Sequence, residues 1–263
     1  AAFWARSGIA HMLTPEGGAL PFQRGGMGDH TTGVTFAGAI SAALYQRERS
    51  GLGQMVSSSL LRQGVYTIGF DLNMMLGWGQ HPMIGQRTQM MNPSVNNYQA
   101  GDGKWFWVVG LEGERHWPPL ARVAGHPEWI TDERFVTPLQ RAINHKELIA
   151  LLDEAFSGKS LDEWADIFAT EPDMFWSPVN SAEAVLADPQ LQHAGGLIEV
   201  PDEYGTTTMI ASPADFHGTP GEPRWIAPKL GEHTAEVLRE LGRSDAVIEE
   251  LFARQVAANF VEE

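Results

Sequence analysis

The chain has 263 residues, 43% of them hydrophobic, enough to bury a core in one large domain or two smaller ones. Its 18 basic and 33 acidic residues leave a formal charge of -15, which repels phosphate backbones and anionic lipid surfaces, so nucleic acid and membrane are not expected partners. With no cysteine, thiolate catalysis, disulfides and cysteine-held metal sites drop out, and covalent chemistry must use oxygen or nitrogen.

Apolar stretches are broken by Gly, Gln, Asp or Arg well before the roughly 20 residues a membrane span requires, so a soluble, cytoplasmic protein is expected. The opening Ala1-Ala2-Phe3-Trp4 has neither an initiator Met nor the pattern of a signal peptide, and reads as a chain entered midway. Residues 1 to 13 predict a short helix, and Gly17, Gly18, Gly25, Gly26 and Gly28 mark a loop that ends at Asp29. From residue 33, Val34, Phe36, Ala37, Ile40, Ala43, Leu44 and Arg47 recur at helical spacing, which predicts a helix with one buried apolar face ending near Ser50-Gly51.

Gln54 to Ser59 predicts a short strand, and the apolar, Met-containing run from Leu60 to Trp78 a buried helix interrupted by Pro82, Gly85 and Pro93. Around Gly101-Asp102-Gly103, the runs Val95-Asn96-Asn97-Tyr98 and Trp105-Phe106-Trp107-Val108-Val109 predict a hairpin, with the tryptophans alternating across it. Helices are expected at about 138 to 156 and 161 to 169, the second with Leu161, Trp164, Ala165 and Phe168 on one face and Ser160 as N-cap. Short β-prone runs lie between Ile198 and Ile210, a Pro/Gly-rich connector spans Pro213 to Pro228, and two helices split at Gly242 close the chain, Ser244 capping the second.

The run Gly25-Gly26-Met27-Gly28-Asp29-His30-Thr31-Thr32-Gly33 surrounds one carboxylate with small residues that let another molecule approach. Asp29 there is either a nucleophile or a helix N-cap, and the two roles compete for the same oxygens. His30 either orients a substrate or sits at the surface beside a helix start. No His-Glu-x-x-His or other compact metal spacing occurs, so no metal is expected. Gly51-Leu52-Gly53 follows a helix and precedes a strand, the reverse of a dinucleotide loop, and reads as a turn. Met74, Met75, Met83, Met90 and Met91 either line an adaptable acyl pocket or belong to the core.

Three stretches in order carry a family resemblance. They are Gly28-Asp29-His30 with Gly33, followed by Ala42 through Val56 including Gly51-Leu52-Gly53-Gln54; Ser177-Pro178-Val179-Asn180 through Asp188-Pro189-Gln190-Leu191; and Leu230-Gly231-Glu232-His233-Thr234 with Val237-Leu238 and Leu241-Gly242. Together they resemble the class III coenzyme A transferases, the CaiB/BaiF or formyl-CoA transferase-like family. The resemblance implies an α/β fold: part of a Rossmann-like large domain at 1–80, a small α/β domain at 81–195, and a linker returning to the large domain at 196–263. It further implies an interlocked homodimer completed by an N-terminal segment upstream of this chain.

The family's nucleophilic Asp carries over onto Asp29, with Gly28 and His30 beside it and Leu60 at a position near bound coenzyme A; ordinary core is the other role open to Leu60. The substrates implied are an acyl-CoA thioester and a small carboxylic acid, with no permanently bound cofactor. In α-methylacyl-CoA racemase, the alternative on this fold, an equivalent Asp works with a His that would lie upstream of Ala1. The Gly-Asp-His context and Ala5-Arg6-Ser7-Gly8 are more similar to transferases of aryl or hydroxyacyl substrates, and the glycine-run flap of formyl-CoA transferase has no match between residues 80 and 103. A further alternative is a non-catalytic assembly partner.

Overall fold

The computed structural model describes residues 2–15, 17–80 and 86–259, which fall into two compact units divided between Val179 and Asn180. In the first unit the expected opening helix is two short ones, α1 (Ala2–Arg6) and α2 (Ile9–Met12). Gly8, at φ 90°, separates them with a left-handed turn that a side chain resists. After a loop, α3 (Met27–Ser50) begins at the left-handed Gly26 rather than near residue 33, and ends where predicted, on the left-handed Gly51 whose N–H reaches the Arg47 carbonyl.

The buried face expected for α3 is not observed. Val34, Ile40 and Leu44 are exposed, and Gly28 is the buried residue of the helix. Spacing reports which residues share a face; what covers that face is a tertiary matter, and of this one Phe36 and Ala43 are partly covered while Val34, Ala37, Ile40, Leu44 and Arg47 are exposed. The strand expected at Gln54 to Ser59 is likewise extended coil, because no neighbouring strand among the described residues supplies a ladder to its backbone. The run from Leu60 to Trp78 forms two helices, α4 (Leu60–Thr67) and α5 (Gly69–Trp78), broken at Ile68. They are not buried: Val65, Tyr66, Phe70, Leu76 and Trp78 are exposed. Pro82, Met83 and Gly85 lie outside the described residues.

The hydrophobic core of this unit lies between Tyr98 and Trp176. Strands β1 (Val95–Gln99) and β2 (Trp105–Val109) form the predicted antiparallel hairpin, with Tyr98 opposite Phe106. A third strand, β3 (Trp176–Pro178), pairs on the far side of β2, an edge position that tolerates its proline. Phe106 and Val108 face the core while Trp105 and Trp107 face out, the alternation a half-covered sheet requires. Beyond it, α6 (Gly113–Val123) buries His116, Trp117, Leu120 and Val123 despite Pro118 and Pro119 in its interior. The helical stretch at 138 to 156 is divided at Asn144 into α7 (Pro138–Ile143) and α8 (His145–Phe156). Helix α9 (Leu161–Phe168) carries the predicted cap on Ser160, completed by Glu163 as a capping box.

Tyr98 is fully buried and its phenol donates to the Pro93 carbonyl at 2.7 Å. Burial pushes its pKa well above the ordinary value, with nearby Arg87 pulling partly the other way. The unfolded chain then releases this proton near pH 10 while the folded chain retains it. Stability contributed by the buried phenol is therefore fully present below about pH 10 and falls above it by about 1.4 kcal/mol per pH unit. Urea denaturation of the intact protein between pH 8 and 11 is expected to show this component, and Tyr98→Phe to remove it; an unchanged alkaline slope in the variant would contradict the assignment.

In the second unit, α10 (Ala182–Leu186) and α11 (Pro189–His193) are capped by Ser181 and Asp188. An antiparallel hairpin follows, β4 (Leu197–Asp202) with β5 (Gly205–Ile210), then an irregular connector. The last helices, α12 (Thr234–Glu240) and α13 (Asp245–Ala253), are separated at the left-handed Gly242. Ser244 occupies the N-cap position of α13 without a side-chain cap bond. No helix among the described residues is long and apolar enough to cross a membrane.

Candidate active site

Asp29 is the third residue of α3, in its first turn rather than at the cap, which belongs to Gly26. Its side chain is exposed, and among the described residues its carboxylate has no hydrogen-bond or ion-pair partner. The capping role therefore does not occupy its oxygens. The helix's first backbone bond runs from the His30 N–H to the Gly26 carbonyl at 2.8 Å, which leaves the N–H groups of Met27, Gly28 and Asp29 without intrahelical acceptors. These three donors lie in the same first turn of the 24-residue helix as the carboxylate.

His30 is also exposed, and its ring lies over Gly26: a Cβ there would come within 3.0 Å of His30 Cε1 and 3.2 Å of Nε2. The left-handed backbone favours glycine at this position. Thr31 and Thr32 do not offer free hydroxyl protons, since they donate to carbonyls one turn back, Thr32 to Gly28 at 2.6 Å and Thr31 to Met27 at 2.9 Å.

Gly28 is buried beneath Phe3 of α1. A Cβ on Gly28 would sit 2.5 Å from Phe3 Cγ, so no larger residue fits while the ring stays in place. Phe3 also reaches α4, where a Cβ on Gly64 would lie 3.1 Å from Phe3 Cε2 and 2.5 Å from Ser7 Cβ. Ser7 is buried and its hydroxyl donates to the Phe3 carbonyl at 2.6 Å. Leu60 opens α4 one turn before Gly64 and is 39% exposed. Helix α4 packs against both α1 and α3, so the segments carrying Leu60 and Asp29 are joined through these contacts.

Phe3, Ser7 and Gly64 were not legible as a unit in the sequence. The available signal was Gly64 itself, a glycine inside an apolar helical run, where it costs about 1 kcal/mol relative to Ala and calls for a packing reason. Of the methionines, Met74, Met75 and Met90 are partly buried and Met91 is exposed, and none joins the core; Met83 lies outside the described residues. Among the described residues no group of three or more His, Asp or Glu side chains is arranged to hold a metal ion. A cleft of about 1010 Å³ in the second unit, lined by Tyr204, Trp225, Lys229, Glu232 and Glu236 among others, contains none of these candidate residues.

Residues 1–234 match the family described as CoA-transferase family III, and the chain belongs to that family. It is 32% identical over 244 residues to an acyl-CoA transferase of Fusarium pseudograminearum (strain CS3096), covering 90% of this chain and 52% of that one. It is 26% identical over 249 residues to the (R)-2-hydroxy-4-methylpentanoate CoA-transferase of Clostridioides difficile, covering 94% and 61% respectively. The crystal structure of a CaiB/BaiF family protein from Brucella suis superposes with a TM-score of 0.71 at 25% identity, covering 90% of this chain and 62% of that one. The chain thus spans between about half and three-fifths of the length of these relatives.

Proposed function

We propose that the protein containing this chain is a CoA-transferase in which Asp29 is the nucleophile. The observation that carries this reading is the exposed, unpaired Asp29 carboxylate in the first turn of α3, beside three N–H groups without intrahelical acceptors. An Asp29 oxygen attacks the carbonyl carbon of an acyl-CoA thioester; the C–S bond breaks, giving a mixed anhydride and coenzyme A thiolate. The thiolate then attacks the Asp29 acyl carbon, releasing the donor carboxylate and leaving an aspartyl-CoA thioester. An acceptor carboxylate attacks that thioester and expels the thiolate, which takes the acceptor acyl group from the new anhydride and restores Asp29. No oxidant, water or metal enters the balance. The first-turn N–H groups stabilise oxyanions in these steps, while Gly28 and His30 border the reacting carboxylate and Leu60 lines the coenzyme A side.

The substrates proposed are an acyl-CoA and a hydroxy or aryl carboxylic acid, in keeping with the C. difficile relative above and with the cinnamoyl-CoA:phenyllactate CoA-transferase of Clostridium sporogenes, 26% identical over 255 residues. Residues 1–80 belong in this reading to a large Rossmann-like domain, 81–195 to the small domain and 196–263 to the return. The exposed Val34, Ile40, Leu44, Phe70 and Trp78 support an interlocked homodimer in which a further N-terminal segment covers α3 to α5. A cytoplasmic location completes the proposal.

The relatives from F. pseudograminearum, C. difficile and C. sporogenes are named as transferases, which favours transfer over racemisation. Incubation of the intact protein in D₂O with succinyl-CoA or cinnamoyl-CoA and a panel of carboxylates is expected to give a new acyl-CoA without deuterium at the α-carbon. α-Deuteration of a 2-methylacyl-CoA with no transfer to any acceptor would instead support the racemase, and inertness towards all of them a non-catalytic partner.

A further inference from the structure

We infer that Phe3 is a positioning residue for Asp29, acting as a wedge between the first turn of α3 and the middle of α4. This inference rests on the reading of Asp29 as nucleophile. The ring meets Gly28, the residue immediately before Asp29, at an approach that leaves no room for a methyl group, and Gly64, one turn after Leu60, where a Cβ would lie 3.1 Å from Phe3 Cε2. Its backbone is held in turn by the buried Ser7 hydroxyl, and the Trp4 indole N–H donates to the Pro21 carbonyl at 3.2 Å, tying α1 to the loop that leads into α3. Asp29 itself has no side-chain partner among the described residues to fix it. The place of its carboxylate is therefore set by where the first turn of α3 rests, and the Phe3 ring is what that turn rests on.

The consequence is a dependence of chemistry on a residue that need not touch substrate. Van der Waals contact begins near 3.4 Å, so a methyl group at Gly64, 2.5 Å from Ser7 Cβ and 2.7 Å from its Oγ, forces α1 and α4 apart by about 1 Å. Phe3 moves with α1, and the first turn of α3 loses its support. Misplacement of a reacting group by about 1 Å costs on the order of 100-fold in rate. A loss of positioning falls mainly on kcat, while KM changes less, because, of the acyl-CoA contacts, only those made through Leu60 on α4 shift with that helix.

The test uses the intact protein, with succinyl-CoA or cinnamoyl-CoA as donor, and compares Gly64→Ala, Ser7→Gly with Gly64→Ala, Phe3→Leu and Asp29→Ala. Gly64→Ala is expected to lower kcat at least about tenfold with KM for the donor changed less than about threefold. Adding Ser7→Gly removes both of the closest clashing atoms, at the cost of the hydroxyl bond to the Phe3 carbonyl, and is expected to recover part of the lost rate. Phe3→Leu keeps an apolar side chain but shortens the wedge, and serves if Gly64→Ala does not fold; it is expected to show the same split between kcat and KM. Unchanged kcat in a folded Gly64→Ala or Phe3→Leu variant, with Asp29→Ala inactive, would overturn the positioning role and leave the nucleophile standing. Activity in Asp29→Ala would overturn the nucleophile and the wedge together.

Discussion

Replacing Asp29 with Ala is expected to lower CoA transfer by the intact protein roughly 10⁴-fold or more, the scale on which loss of a covalent nucleophile acts. Stability is expected to change little. The cap of α3 is Gly26, and Asp29 makes no cap hydrogen bond, so what the fold loses is one exposed charge near a helix N-terminus, about 0.3 to 1 kcal/mol. Asp29→Asn, which keeps the shape and removes the charge, is expected to be as inactive as the Ala variant. Steady-state kinetics with urea denaturation alongside separates the two effects. An unfolded variant would place Asp29 in the scaffold, and an active one would remove it from the chemistry.

The second large effect is expected far from Asp29 in sequence, at Phe156. This ring is fully buried, with the rings of Tyr98, Phe106 and Trp164 at centroid distances of 5.1, 5.0 and 5.1 Å. Its backbone carbonyl also accepts from the Trp164 indole at 2.8 Å. Phe156→Ala opens a cavity at the point where strands β1 and β2 meet helices α8 and α9, and is expected to cost about 3 to 5 kcal/mol. Against a typical stability of about 5 to 15 kcal/mol, that removes a large part of the margin. Urea midpoints of Phe156→Ala and Phe156→Leu should rank with the volume removed. Equal, small shifts would mean that the ring cluster repacks freely and is not the core of its unit.

What the sequence disclosed depended on whether the deciding interactions were local. The hairpin at β1 and β2, the cap at Ser160 and the stop at Gly51 are set by turn, capping and left-handed backbone chemistry within a few residues, and the chain shows all three. Helix α6 has no counterpart among the expected elements; Pro118 and Pro119 disfavour a helix locally, and burial of Trp117, Leu120 and Val123 outweighs that preference. Strand β3 is three residues long, too short for a periodic signal, and exists because β2 offers it an edge.

The largest difference concerns residues 27 to 78. Their apolar spacing predicts burial, yet Ile40, Leu44, Leu60 and Phe70 are exposed, since helical period says nothing about whether a covering element is at hand. The candidate site divides the same way. Asp29, Gly28 and His30 stand out in a glycine-rich run, and it is the family resemblance that points to Asp29 as the proposed nucleophile rather than an ordinary helix-start acid. Phe3 and Gly64 are separated from it by loop and helix, and only packing reveals that they meet.

The most direct measurement of the central claim is mass spectrometry of the Asp29 peptide from the intact protein, incubated with succinyl-CoA or cinnamoyl-CoA and quenched with hydroxylamine. Both the mixed anhydride and the aspartyl-CoA thioester are acyl donors that hydroxylamine intercepts, so the account predicts a hydroxamate on Asp29 that depends on the acyl-CoA. An unmodified Asp29 peptide, recovered while transfer to an acceptor carboxylate is demonstrably under way, would contradict it.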